Sequence, residues 1–120
     1  MPIKIAATKN MPREQWLQLR KQGIGGSDAG AVCGVNPYRS AFNVYHDKIS
    51  EEPPEAEDNE HMRQGRDLED YCARRFSEAT GLKVRRTNYL YLHEGYGFMI
   101  ADLDRVIVGE NAGLECKTAS

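Results

Sequence analysis

At Gly81 the hydrophobic pattern of this chain changes period, and that change limits what the chain can fold into. Before it, Met62, Leu68, Tyr71, Cys72 and Phe76 recur roughly at the spacing of one helix face. After it, Val84, Tyr89, Tyr91, Phe98, Ile100, Leu103, Val106, Val108 and Leu114 favour strands, punctuated by Gly95, Gly97, Gly109 and Gly113. Helices followed by strands predict an α/β protein of α+β arrangement, a β-meander with a helix packed on it. With 120 residues the chain has room for one domain, residues 1–120, burying roughly two-thirds of its unfolded surface.

The N-terminal half reads as short elements. Ile3 to Ala6 is an edge strand or disorder. Pro12 suits the first position of a helix that uses Trp16, Leu17 and Leu19 and ends near Gly23. Ser27 is placed to cap a small-residue helix closed by Gly34, and Ser40 to cap a third helix running to Ile49. Asn59 to Ala79 is the longest predicted helix, stopped by Gly81.

Composition removes several classes of function. No apolar run approaches the ~20 residues of a membrane span, and no signal-peptide core is present. A cytoplasmic protein is expected. Cys33, Cys72 and Cys116 are odd in number and form no C-x-x-C pair, which argues against a disulfide framework, a zinc ribbon or an iron–sulfur cluster. Glu51, Glu52, Glu55, Glu57, Asp58 and Glu60 crowd around Pro53 and Pro54, as in a solvated acidic loop over 51–60. Without those six, twelve acidic residues face sixteen Lys and Arg, a balance of +4 that permits a basic face elsewhere.

Chemistry concentrates near the end of the chain. Residues 104–117 place two apolar runs around a Gly109–Gly113 turn, with Asp104 at one end and Glu115-Cys116-Lys117 at the other. On a strand, Glu115 and Lys117 share a face, and a hairpin brings Asp104 near Glu115. Asp102 shares a face with Asp104 and is the alternative acid. Paired carboxylates repel unless a cation lies between them, and hard oxygen donors suit Mg²⁺ or Mn²⁺. The Cys116 carbonyl could supply a further oxygen, and Lys117 could position a water or stabilise developing charge. Glu69, on the long helix, is a candidate third acid, or else an ion-pair partner of a nearby arginine. Gly25, Gly26 and Ser27 form a turn suited to an anion, with Arg20 seven residues before Ser27.

Together these motifs resemble the YqaJ-like viral recombinase family, phage-type exonucleases related to phage lambda exonuclease within the PD-(D/E)xK nucleases. The resemblance rests on Arg20, Gly23-Ile24-Gly25-Gly26-Ser27-Asp28-Ala29, Gly65-Arg66-Asp67-Leu68-Glu69, Asp104 and Glu115-Cys116-Lys117, in order over about residues 12–118. It implies a restriction-endonuclease-like core and Mg²⁺- or Mn²⁺-dependent hydrolysis of duplex DNA ends, 5′→3′. It assigns metal binding to Asp104, Glu115, the Cys116 carbonyl and Glu69, and assistance of the attacking water to Lys117. Arg20 and Ser27 match residues that grip the 5′-phosphate. Implied partners are DNA ends, a single-strand annealing protein and further copies of the chain, in a bacterial or phage-infected cell. Leu103 stands where the name motif has proline. Family members continue past the E-x-K strand, so the core is expected to be incomplete at its C-terminus. A non-catalytic module for binding DNA ends or partners is the alternative function.

Overall fold

A computed structural model describes residues 2–51 and 59–119; of the expected acidic loop, residues 52–58 lie outside the described residues. In chain order the elements are β1 (Ile3–Ala7), α1 (Arg13–Arg20), α2 (Gly26–Val32), α3 (Ala41–Ile49), α4 (Glu60–Thr80), β2 (Val84–Arg85), β3 (Tyr89–Leu92), β4 (Ile100–Asp102), β5 (Arg105–Ile107) and β6 (Gly113–Leu114). The architecture is mixed α+β, compatible with the nuclease-like core that the resemblance implies. No helix among the described residues is long and apolar enough to cross a membrane.

The residues group into two compact units, 1–55 with 89–102 and 56–88 with 103–120. The expected single meander is therefore two three-stranded antiparallel sheets, ordered β1-β3-β4 and β2-β5-β6. The chain leaves strand geometry at Leu103 and Asp104, so β4 and β5 do not pair. Instead β1 supplies the second partner of β3, while β5 pairs back to β2 and on to β6.

In the first unit, Ala31, Val44, Leu90 and Ile100 form the buried apolar centre. Ser40 caps α3 by accepting a hydrogen bond from the Asn43 N–H at 3.2 Å. The expected cap of α2 is corrected. Helix α2 begins one residue before Ser27, with Gly25 at the cap position, and the Asp28 carboxylate accepts the Gly25 N–H at 3.1 Å. A charged carboxylate is the stronger acceptor, and Ser27 is left to serve another partner.

In the second unit, Asn59 caps α4 by accepting from the Met62 N–H at 2.8 Å, and Gly81 ends it in the left-handed region at φ 73°. The inward stripe of α4 is Gly65, Glu69, Cys72, Ala73, Phe76 and Ser77. Met62, Leu68 and Tyr71, expected on that face, stay exposed. The stripe centres on a carboxylate because a buried arginine lies opposite it.

Gly23 sits where two backbone segments touch. The Ile24 N–H donates to the Phe98 carbonyl at 2.6 Å, and the Ile100 N–H donates to the Ile24 carbonyl at 3.1 Å. A Cβ on Gly23 would lie 2.7 Å from both the Phe98 oxygen and the Ile100 side chain. Gly23→Ala is expected to destabilise the chain by about 1–3 kcal/mol, the usual cost of overpacking. Urea denaturation measures this, and an unchanged midpoint contradicts the close approach.

Candidate functional site

The hairpin of β5 and β6 is registered by Arg105 opposite Leu114 and Val106 opposite Gly113. Gly109, at φ 85°, turns the chain in a conformation that side chains rarely adopt, and the Ile107 N–H closes the loop on the Ala112 carbonyl at 3.0 Å. One step further along, this register sets Asp104 across from Glu115. The Asp104 carboxylate accepts the Cys116 N–H at 2.7 Å. Beyond Leu114 the Cys116 N–H is thus taken by a side chain. The assigned strand stops at Leu114, short of the expected E-x-K strand. Glu115 and Lys117 still share a side, with Lys117 Nζ 2.9 Å from Glu115 Oε1. Burial pushes the Cys116 thiol pKa above its ordinary value, and the Asp104 charge adds to the rise.

Asp102 belongs to the other unit. It closes β4 and accepts the Trp16 indole N–H at 2.7 Å. Asp104, by contrast, touches the E-x-K backbone itself.

Glu69 is engaged by a cation that the sequence does not single out. The Arg105 side chain is 4% exposed, donates to Glu69 Oε1 and to the Asp104 carbonyl at 2.9 Å, and lies 3.4 Å from Asp70. Burial opposes the charge on Arg105, but Glu69 outweighs it, and the guanidinium pKa is raised. The acid proposed from sequence as a ligand is, in this arrangement, the partner of a buried arginine. The only sequence signal was a cation between Asp104 and the apolar run Val106 to Val108.

Asp104, Glu115 and the Cys116 carbonyl are hard oxygen donors, a set chemically suited to Mg²⁺ or Mn²⁺. Among the described residues, however, no group of three or more His, Cys, Asp or Glu side chains is gathered tightly enough to hold a metal. This agrees with Glu69 and Glu115 each resting against a cation of the chain.

The first unit holds a cationic cleft of about 150 Å³. Arg20 donates to Ser27 Oγ at 2.7 Å, and its guanidinium stacks 4.7 Å from the centre of the Trp16 ring. The structure therefore brings together the two residues expected to grip phosphate. Arg39, Lys48 and Lys21 also line the cleft, as do Asp28 and Asp47. Arg39 pairs with Asp28 at 2.9 Å and with Asp47 at 2.6 Å, and Lys48 lies 3.0 Å from Asp28. Asp28 is 3% exposed. Burial pushes its pKa up, but the Gly25 N–H, Lys48 and Arg39 prevail, and the net shift is downward. Sequence reasoning missed Asp28, Arg39 and Lys48 as site residues. The signal for Asp28 was an acid among small residues, where only a paired charge is tolerated.

The family model of the YqaJ-like viral recombinase domain matches residues 15–120. The uncharacterised protein YqaJ of Bacillus subtilis (strain 168) is 41% identical over 116 residues, covering 97% of this chain and 36% of that protein. The chain thus spans about a third of the length of the curated relative it matches. No solved structure matches it significantly.

Two outcomes test this electrostatic account. Arg105→Met strands Glu69 and is expected to cost about 3–5 kcal/mol. The double variant with Glu69→Gln should recover part of that loss, and a double-mutant cycle in urea reads the coupling. Asp28 has a depressed folded pKa, so its contribution is present above the unfolded carboxylate value of about 3.9. That contribution is lost as pH falls through the lower folded value. Acid titration of stability should therefore be steeper below about pH 4 in the native chain than in Asp28→Asn.

Proposed function

Because the chain belongs to the YqaJ-like viral recombinase domain family, we propose that it carries the active site of a metal-dependent deoxyribonuclease that resects duplex DNA ends, 5′→3′, in phage-type recombination. The observation that carries this reading is the Asp104 carboxylate on the Cys116 N–H, which seats it against the backbone between Glu115 and Lys117.

On this reading Asp104, Glu115 and the Cys116 carbonyl would hold Mg²⁺ or Mn²⁺. The bound metal would polarise a phosphate oxygen and acidify a water. Lys117 is extensively exposed, and its ammonium positions the attacking water or meets the charge that grows on the phosphate. Glu69 could serve as a further metal-site acid by leaving Arg105, with Asp70 as the remaining partner of that arginine.

The cleft supplies recognition of the DNA end. Its four cations and two acids leave a balance of +2. That matches a terminal phosphate monoester, which carries about −1.5 to −2 near pH 7, better than an internal diester. Arg20 is held by Trp16 and Ser27, so its fork is pre-arranged for phosphate oxygens. A single-strand annealing protein and further copies of the chain are proposed partners. The engagement of Glu69 and Glu115 by internal cations favours one second reading, a module that binds DNA ends without cutting them.

Mg²⁺ should support strand loss from a 5′-phosphorylated duplex, and chelation should abolish it. Lys117→Ala is expected to slow hydrolysis by about 10²–10⁴-fold with little change in melting temperature. Equal rates for native and Lys117→Ala protein would sink the nuclease reading. Salt-dependent binding without strand loss in Mg²⁺ would support the second one.

A further inference from the structure

We propose that Lys48 contacts phosphate in the cationic cleft and that Asp28 is the positioning residue that holds it there. This rests on the reading of the cleft as a site for a terminal phosphate.

Lys48 lies in the last turn of α3, and its side chain is 18% exposed. An ammonium has three N–H donors. One meets Asp28 Oδ2 at 3.0 Å and a second meets the Arg20 carbonyl at 2.9 Å. Those two partners flank the phosphate clamp. Asp28 follows Ser27 directly, and Arg20 is the residue whose guanidinium reaches Ser27. Both anchors therefore set the ammonium beside the Arg20–Ser27 pair and leave its third donor for a ligand.

Asp28 engages each of its carboxylate oxygens separately, and Lys48 meets only one of them. Arg39 pairs with Oδ1 at 2.9 Å, and the Gly25 N–H donates to Oδ2. Arg39 is shared with Asp47 at 2.6 Å, so Arg39 and Lys48 together balance the two acids, and Asp28 touches both cations. The Asp28 carboxylate sits beneath the cleft at 4% side-chain exposure, while Lys48 and Arg39 are more open to solvent. A buried acid under exposed cations aims them outward and removes the freedom they would otherwise lose on binding. Lys48 arrives from α3, so the site draws on three segments: the end of α1, the start of α2 and the end of α3.

The test uses a duplex closed by a hairpin at one end and bearing either a 5′-phosphate or a 5′-hydroxyl at the other. Binding is followed by fluorescence anisotropy in EDTA, so that no strand is lost. The native chain should prefer the phosphorylated end by about tenfold or more, the worth of a hydrogen bond to a charged group. Lys48→Met should reduce that preference several-fold, by weakening binding of the phosphorylated end more than binding of the hydroxyl end. Lys48→Arg should restore the preference, and Asp28→Asn should weaken it although no phosphate donor is removed. Inorganic phosphate should displace the phosphorylated end more readily from the native chain than from Lys48→Met. Melting temperatures of all variants identify any that fail to fold. An unchanged preference in Lys48→Met overturns the role of Lys48 alone. So does an equal fall in affinity for both ends, since that marks a general charge or folding effect. A native chain that binds both ends equally overturns the end-recognition reading, and this inference with it.

Discussion

A charge withdrawn from water must be met inside the protein, and among the described residues each unit contains one such charge. In the second unit it is Arg105, which holds Glu69 of α4 and the Asp104 carbonyl with one guanidinium. In the first it is Asp28, which gathers a backbone N–H, Arg39 and Lys48. Leaving either charge unpaired would cost several kcal/mol, so the elements that carry the partners are constrained to stay in place. The apolar centres are small by comparison. Ala73 is the one fully buried apolar side chain described in the second unit. The ion pair at Arg105 therefore specifies where α4 meets the hairpin more sharply than packing does.

Each buried charge is the sequence neighbour of a residue proposed to act in the site. Asp28 follows Ser27, and Arg105 follows Asp104. Adjacency means that fixing the one fixes the backbone of the other. Arg105 even returns a hydrogen bond to the carbonyl of Asp104. The side chain of Asp104 is then aimed by the Cys116 N–H, so its backbone and its carboxylate are held by separate contacts. Pre-organisation of this kind lets a small, polar framework present reactive groups without a large core.

Much of this was legible in the sequence, and the limits of that reading have physical causes. Helix α4 and its ends were readable because Asn59 and Gly81 act locally, through a side-chain cap and a left-handed turn. The Asp104-to-Lys117 hairpin was readable because Gly109 and Gly113 set its turn. The division into two sheets was not, since the pairing of β1 with β3 joins residues far apart in the chain. Nor was the partner of Glu69, because helix spacing points to arginines on α4 while the guanidinium comes from β5. Ser27 was placed as a cap because serine usually caps. Gly25 takes that position instead, and Asp28 within the first turn of α2 accepts its N–H. Contacts between residues distant in the chain decided the sheet division and the partner of Glu69, and a local pattern does not encode them.

The acids of the hairpin differ in how readily they can exchange partners. Glu115 and Lys117 are both well exposed, so their ion pair is screened by water and worth little. On the proposed reading, a divalent cation would displace Lys117 from Glu115 at small cost. Glu69 is held by a guanidinium that is almost wholly buried, and removing it would leave that cation short of its main partner. If the hairpin binds metal, Asp104 and Glu115 are therefore the ligands that engage first. Glu69 can follow only as far as Asp70, which is largely exposed and 3.4 Å from Arg105, is able to replace it. The relative burial of two ion pairs thus ranks the acids of one motif by availability, a ranking that their spacing in the sequence leaves open.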